Sequence, residues 1–376
     1  MRIFNIIQCA NLGGMEHSCL ALLIELKARG HQLELLSLNT LGGLGPLLAA
    51  QAIPADGLPY RGRGGWQSLP QLKRRLAGVR SDALIMTGHN LLGMLALGDL
   101  CRNRRLLSIH FHHAGVKPAW QWRLIYRAAF SRFSAIAFPT DFIRREAEAI
   151  YPPIGQMSHT IGSSISLLEM PTGSERVAAR RALGVPERAC IIGNAGWLIP
   201  RKRFDVFLQV ARNIAKEEPD ALFVIAGEGP EGTALRSLAR QLGIADRIHW
   251  LGWQSDLTSF YRSLDLLLFN ADWEALGRTP LEALAAGIPV VASVLNGGLS
   301  EILDSTSYPM LFACHDTAQL TQAALGVLRD RSLAACLVAS GRERLGQVAS
   351  AAGYADRVCS LLASSDDLRG SEGIRE

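Results

Sequence analysis

Along most of this chain, short apolar runs alternate with segments of helical periodicity, and they do so in two series separated by a polar passage. The first series opens with IFNII, a glycine-rich turn, a helical pattern from Glu16 to Arg29 and LELLSL, and continues through ALIMT, RLLSIH and AIAFP to Pro139. The second starts at CIIGNAG and runs through ALFVIAG, RIHWLG, LDLLLFN and IPVVAS. Strand–helix–strand order of this kind calls for parallel strands joined by crossover helices, and near-continuous apolar strands imply sheets covered on both faces. The chain therefore reads as α/β, with two Rossmann-like β/α/β domains facing a central cleft and ligands at the carboxyl ends of the strands. Expected boundaries are 1–168 for the first domain, 169–187 for a linker with a short helix, and 188–350 for the second domain. An amphipathic helix follows at 351–363, and the polar stretch 364–376 is expected to be disordered.

With 376 residues, 48% of them hydrophobic, the chain can bury two cores of ordinary size. No apolar run approaches a bilayer span, and the N-terminal IFNIIQCA reads as a buried strand rather than a secretion signal, so a cytoplasmic protein is expected. Seven cysteines without a C-x-x-C pair point to reduced, buried thiols and no zinc site. Charge is uneven: residues 1–165 carry +9 and the remainder −4. The first half should seek an anionic partner. Zinc-finger spacing and an RNP-like aromatic run are both missing, so nucleic acid is not expected. An anionic membrane surface fits two segments better, 61–80 (RGRGGWQSLPQLKRRLAGVR) and 117–133, where Trp120, Trp122, Tyr126 and Phe130 stand among Lys117, Arg123, Arg127 and Arg132. Packing of those aromatics inside the domain is the alternative.

The stretch DWEALGRTPLEALAAGIPVVAS, from Asp272 to Ser293, joins two glutamates through a turn to a helix. Gly277 permits a sharp turn, Pro280 suits a first helical turn, and Leu281, Leu284 and Ala285 form an apolar stripe. Gly287 and Pro289 end the helix before a buried strand. Unpaired N–H groups at such a helix start, around Thr279 to Leu281, suit a diphosphate. Glu274 and Glu282 are placed to reach a sugar hydroxyl and a ribose; equally, the first can cap the helix and the second favour its positive end.

Three further groups carry chemistry. Gly13 and Gly14, after the first strand, allow close approach of a ligand to the backbone, although the G-x-G-x-x-G dinucleotide fingerprint is absent. In GWLIPRKR, Gly196 to Arg203, a cation can offset charge on a departing nucleotide. His110, His112 and His113 have no acidic or cysteine partner nearby in sequence, so hydrogen bonding is expected of them rather than metal binding.

The segment from Glu274 resembles the paired-glutamate motif of retaining glycosyltransferases with the GT-B fold, specifically glycosyltransferase family 4. Matching positions are Glu274, Gly277, Leu281, Glu282, Ala283, Ala285, Gly287, Pro289 and Val290 to Ala292; Ala275 and Leu276 depart from it. GGMEHSCLALLIELKARGH is similar to the family's opening, with Gly13, Gly14, Glu16, Arg29, Gly30 and His31 in register. Gly196 and Lys202 match a third motif, but Trp197 stands where the family has arginine and Arg203 where it has glycine; Arg201 or Arg203 is then expected to restore the charge. The resemblance also implies that Gly227 and Glu228 lie beside the donor, that Trp253 lies against its base, and that His110, or else His113, meets the transferred sugar. His89 and Asn90 resemble a cleft-facing pair on the acceptor side.

What the resemblance implies overall is a nucleotide-sugar donor, a glycan or lipid-linked acceptor, polysaccharide or lipopolysaccharide synthesis, retention without metal or other cofactor, and a C-terminal helix crossing back to the first domain. His110, Glu274 and Lys202 would be catalytic. A nucleotide-sugar epimerase of the same fold, a nucleotide-binding module with a decayed site, and a nicotinamide-dependent dehydrogenase are the rivals.

Overall fold

A computed structural model of the protein describes residues 1–58, 66–110, 113, 116–303 and 308–363. The expectations for Arg61, Arg63, His112 and the tail 364–376 concern residues outside that set. The described chain forms two compact units, one of residues 1–164 with the segment from 349 onward, the other of residues 165–348.

Unit 1 is built from β1 (Arg2–Ile7), α1 (Gly14–Ala28), β2 (Gln32–Ser37), α2 (Leu44–Ala50), β3 (Ala55–Gly57), α3 (Leu69–Ala77) and β4 (Ala83–Thr87). It continues with α4 (Leu91–Ala96), β5 (Arg105–Ser108), α5 (Ala119–Phe130), β6 (Ala135–Phe138), α6 (Asp141–Ile150) and β7 (Ser158–Thr160). Its sheet is parallel in the order β3-β2-β1-β4-β5-β6-β7. Ile3, at the centre, is in register with Leu33 on one side and Ala83 on the other. The strands β1, β4 and β6 are mostly apolar, as strands covered by helices on both faces are.

Unit 2 begins with α7 (Gly173–Ala182), whose Thr172 and Glu175 form a capping box. There follow β8 (Cys190–Ala195), α8 (Phe204–Glu217), β9 (Ala221–Ala226), α9 (Gly232–Gln241), β10 (Ile248–Gly252), α10 (Thr258–Ser263) and β11 (Leu266–Glu274). The unit closes with α11 (Arg278–Ala285), β12 (Val290–Gly297), α12 (Leu299–Ile302), β13 (Leu311–Phe312), α13 (Thr317–Arg329) and α14 (Arg331–Val348). Strand order is β10-β9-β8-β11-β12-β13, again parallel.

The last described helix, α15 (Ala351–Ala363), belongs to unit 1. Its Tyr354, Ala355, Val358 and Leu362 enter the same core as Leu22, Leu23 and Leu26 of α1. Arg29 fastens the pair by donating to Asp356 at 2.6 Å and to the Ala352 carbonyl at 2.8 Å.

Two expectations are corrected by burial. Trp122 and Tyr126 are fully buried, so only Trp120 and Phe130 of the four aromatics on α5 face solvent. Cys314 and Cys336 are exposed rather than buried, although all seven thiols are free. Among the described residues no helix is long and apolar enough to cross a membrane.

Candidate active site

In unit 2 the chain leaves β8 toward β9 and leaves β11 toward β12, on the opposite side. Such a reversal opens a crevice at the carboxyl ends of the two central strands, where parallel sheets bind ligands. The loop after β8 is shaped by close backbone contact. Gly227 has φ +151°, and a Cβ there would lie 1.9 Å from the Gly196 carbonyl oxygen, so glycine alone fits. Leu198 N–H donates to the Glu228 carbonyl at 2.8 Å and locks the two loops together.

A single turn, Pro200–Lys202, then aims two cations at one carboxylate. The Lys202 ammonium donates to Glu274 Oε2, with the side chains only 11% and 15% exposed. Arg201 lies over the Trp273 ring, 4.1 Å from its centroid, and its Nη1 is 3.9 Å from the same oxygen. Arg203 is engaged elsewhere. It donates to Asp205 and to Asp272 at 3.0 Å, and these bonds, Asp205 first, hold its guanidinium more firmly protonated than usual. Asp272 is also 3.2 Å from His315 Nε2, and the other ring nitrogen of His315 is 2.7 Å from Ser293 Oγ. Of the two arginines considered as replacements for the family's arginine, the structure therefore brings Arg201 to Glu274 and ties Arg203 into a support beneath it.

After β11 the chain turns at Gly277, in the left-handed region at φ +81°, and enters α11. Thr279 donates from Oγ1 to the Ala195 carbonyl at 3.3 Å, which draws the helix start to the end of β8. Pro280 and Leu281 are buried. Glu282 accepts from the Tyr261 hydroxyl at 2.9 Å and from Arg278 Nε at 3.0 Å. Burial, above all, and then the Glu282 charge keep Tyr261 a neutral donor. Trp253 and Trp197 pair at 5.0 Å with both rings largely exposed, so Trp197 is a surface partner of Trp253 rather than a core residue. The Glu228 carboxylate lies over Gly252, where an added Cβ would meet it at 3.1 Å.

Unit 1 carries its own cluster at the carboxyl ends of β1, β4 and β5. Gly13 is the N-cap of α1, and the buried Glu16 carboxyl folds back over it and accepts from Cys9 Sγ at 3.0 Å. Burial raises the Glu16 pKa, while its hydrogen bond with Cys9 opposes that shift. Asn90 caps α4 by accepting from Gly93 N–H at 2.8 Å. His89 is buried beside Trp122, and burial, helped by Lys117 and His113, pushes its pKa down to about 4. His110 lies two residues beyond β5, half-buried, with Nε2 2.9 Å from Ser108 Oγ. His113 belongs to the interior: its ring nitrogens meet Tyr126 and Glu146, and its carbonyl accepts from Trp122 Nε1 at 3.0 Å. His110 is thus the more accessible member of the pair. Among the described residues no three His, Cys, Asp or Glu side chains are grouped to hold a metal ion.

The contacts of Arg201, Trp273, Asp272, His315 and Tyr261 were not evident from sequence. Trp273 beside Glu274 was the one local signal; His315 has none, because 43 positions separate it from Asp272.

Two family models match the chain, Glycosyltransferase Family 4 over residues 12–156 and Glycosyl transferases group 1 over residues 175–344. D-inositol 3-phosphate glycosyltransferase of Saccharomonospora viridis is 32% identical over 215 residues, 54% of this chain and 49% of that protein. Lipopolysaccharide core biosynthesis mannosyltransferase LpsB of Rhizobium meliloti is 31% identical over 177 residues, 45% and 50% of the two chains. The chain thus spans about half the length of these curated relatives. In fold it is similar to Anabaena HepE, solved with UDP and glucose, at a TM-score of 0.81 and 17% identity, covering 97% of this chain and 100% of that one. The fold is of the GT-B type, and the chain belongs to the group 1, family 4 glycosyltransferases.

Proposed function

We propose that this protein is a retaining, metal-independent glycosyltransferase that moves a sugar from a nucleotide-sugar donor to a glycan or lipid-linked acceptor in cell-surface polysaccharide or lipopolysaccharide synthesis. The observation that carries the reading is the convergence of Lys202 and Arg201 on Glu274 beside the start of α11. These groups hold fixed positive charge where a diphosphate would depart, and such preorganised charge is commonly a large contribution to transfer from phosphate leaving groups. Glu274 accepts a hydroxyl of the transferred sugar, Glu282 a ribose hydroxyl, and Trp253 stacks on the base. Gly13, Gly14, Gly196, Gly227 and Gly277 let backbone approach the donor.

The bond from the anomeric carbon to the diphosphate breaks, and the acceptor oxygen joins the same face. The acceptor proton passes to the leaving phosphate. His110 contributes to the transferred sugar, and His89 and Asn90 lie on the acceptor side. The acceptor is presented at an anionic membrane surface, supported by Trp120, Leu124 and Phe130, which stand exposed on α5 with Arg123 and Arg127.

A thermal-shift panel of UDP-, GDP-, ADP- and TDP-sugars identifies the donor, since a ligand that prefers the folded state raises Tm. NMR of the product then reads the anomeric configuration, and assays with EDTA test the metal. Inversion, or loss of turnover restored by a divalent cation, overturns the mechanism; donor consumption with no acceptor present favours the epimerase.

A further inference from the structure

A cavity of about 710 Å³ opens in unit 2 at the amino ends of its central strands, lined by Cys190 at the start of β8, Asp265 just before β11 and Pro289 just before β12. Gly196 and Glu274 lie at the other ends of those strands. A strand of six residues, the length of β8, spans roughly 20 Å. This cavity is therefore separate from the candidate donor site.

Its charge is unusual for its half of the chain. Residues 166–376 carry a net negative charge, yet Arg176, Arg180, Arg188, Arg331 and Arg342 all line the cavity, against the one lining carboxylate of Asp265. Asp265 is saturated: Arg176 and Arg180 donate to its two oxygens at 2.6 and 2.8 Å, and Ile191 N–H adds a third bond at 2.8 Å. Arg342 donates to the Ala285 carbonyl, a neutral acceptor. Arg188 and Arg331 have no acidic partner among the described residues. Val327, Leu328 and Val338 supply an apolar wall. Five arginines lining one concave surface, with a single carboxylate among the lining residues, give the excess of guanidinium charge by which arginine recognises phosphate. The volume is that of a small-molecule site.

We propose that this cavity binds a phosphate ester carried on an apolar or compact body, with Arg188 and Arg331 gripping the phosphate and Arg176 and Arg180 forming a floor fixed by Asp265. The proposal does not depend on the donor-site reading. The shared chemistry is the phosphate, and both a soluble phosphate ester and a phospholipid headgroup present it.

Calorimetric titration of the full chain with pyrophosphate, in saturating UDP, tests it. One pyrophosphate should still bind with the donor site filled. Arg188→Glu/Arg331→Glu, both exposed positions, should weaken that event about tenfold or more, while UDP affinity stays unchanged. The same titration of Lys202→Ala without UDP keeps the outcome readable if UDP does not bind: pyrophosphate binding must persist there. Vesicles of phosphatidylcholine with phosphatidic acid form the second arm, with Arg123→Glu/Arg127→Glu present throughout to silence α5, and sedimentation that adding Arg188→Glu/Arg331→Glu then abolishes assigns the phosphate to a lipid. Pyrophosphate and vesicle binding both absent with Arg188 and Arg331 intact, or both unaffected by their substitution, overturn the proposal.

Discussion

The Lys202 ammonium is held by the Glu274 carboxylate across 72 positions of sequence, and both side chains are mostly shielded from water. A partner lost from such a pair leaves a poorly solvated charge, at a cost of about 3 kcal/mol or more when burial is complete. Here Arg201, 3.9 Å from the same oxygen, limits the damage to Glu274 when Lys202 is removed.

Lys202→Ala is therefore expected to fold and to lower kcat on the order of a hundredfold, the usual effect of removing one preorganised charge donor. Arg201→Ala should lower kcat by a smaller factor. Arg203→Ala should shift Tm downward through Asp205 and Asp272 with less effect on turnover. Steady-state kinetics with the donor found by thermal shift checks all three; equal losses in Arg201→Ala and Arg203→Ala would contradict the division of roles.

Gly227→Ala places a methyl group against the Gly196 carbonyl in a backbone region that alanine rarely adopts. The expected destabilisation is roughly 2–4 kcal/mol. Urea unfolding measures it, and a change below about 1 kcal/mol would mean the two loops are not in contact.

The paired histidines should separate by readout. His113→Ala removes a buried ring with contacts to Tyr126, Glu146 and Trp122, and should cost about 2–4 kcal/mol of stability. His110→Ala should leave stability nearly unchanged, lower turnover and preserve nucleoside diphosphate affinity. The reverse pattern would exchange their roles.

His89 makes stability depend on pH. Its imidazole stays neutral in the fold down to about 4, whereas the unfolded chain takes the proton near 6.5. Stability present above pH 6.5 is therefore lost as pH falls toward 4, by roughly 3 kcal/mol at most. His89→Leu should remove that part of the slope between pH 7 and 4.5 in urea titrations. An identical slope in both proteins would place the His89 pKa near its ordinary value.

Membrane docking through α5 should appear as co-sedimentation with anionic vesicles at low salt that weakens as salt rises, since exposed charges are screened. Arg123→Glu/Arg127→Glu should abolish it. Sedimentation unchanged by that substitution would move the contact away from α5.

The local patterns of this sequence carried most of the architecture. Alternating apolar runs placed β1, β4, β8, β9 and α15 to within a residue or two, because a strand buried on both faces and an amphipathic helix each write their environment into consecutive residues. The three short strands β3, β7 and β13 escaped, as ADG, SHT and LF have no such run and exist only by pairing with a neighbour already in place. The short helix expected within 169–187 is α7, whose start the structure fixes with a capping box of Thr172 and Glu175. In the candidate site, the motifs named the glycines at 196, 227 and 277 and the glutamates at 274 and 282 as candidates, and the structure pairs Glu274 with Lys202. Which arginine joins Glu274, and which histidine is interior, could not: Arg201 and Arg203 differ by two positions and His110 and His113 by three, and their sequence surroundings are alike. Only the tertiary structure separates them, because partners such as Trp273, Asp272, Tyr126 and Glu146 arrive from distant segments, and a charge or ring settles where those partners satisfy it.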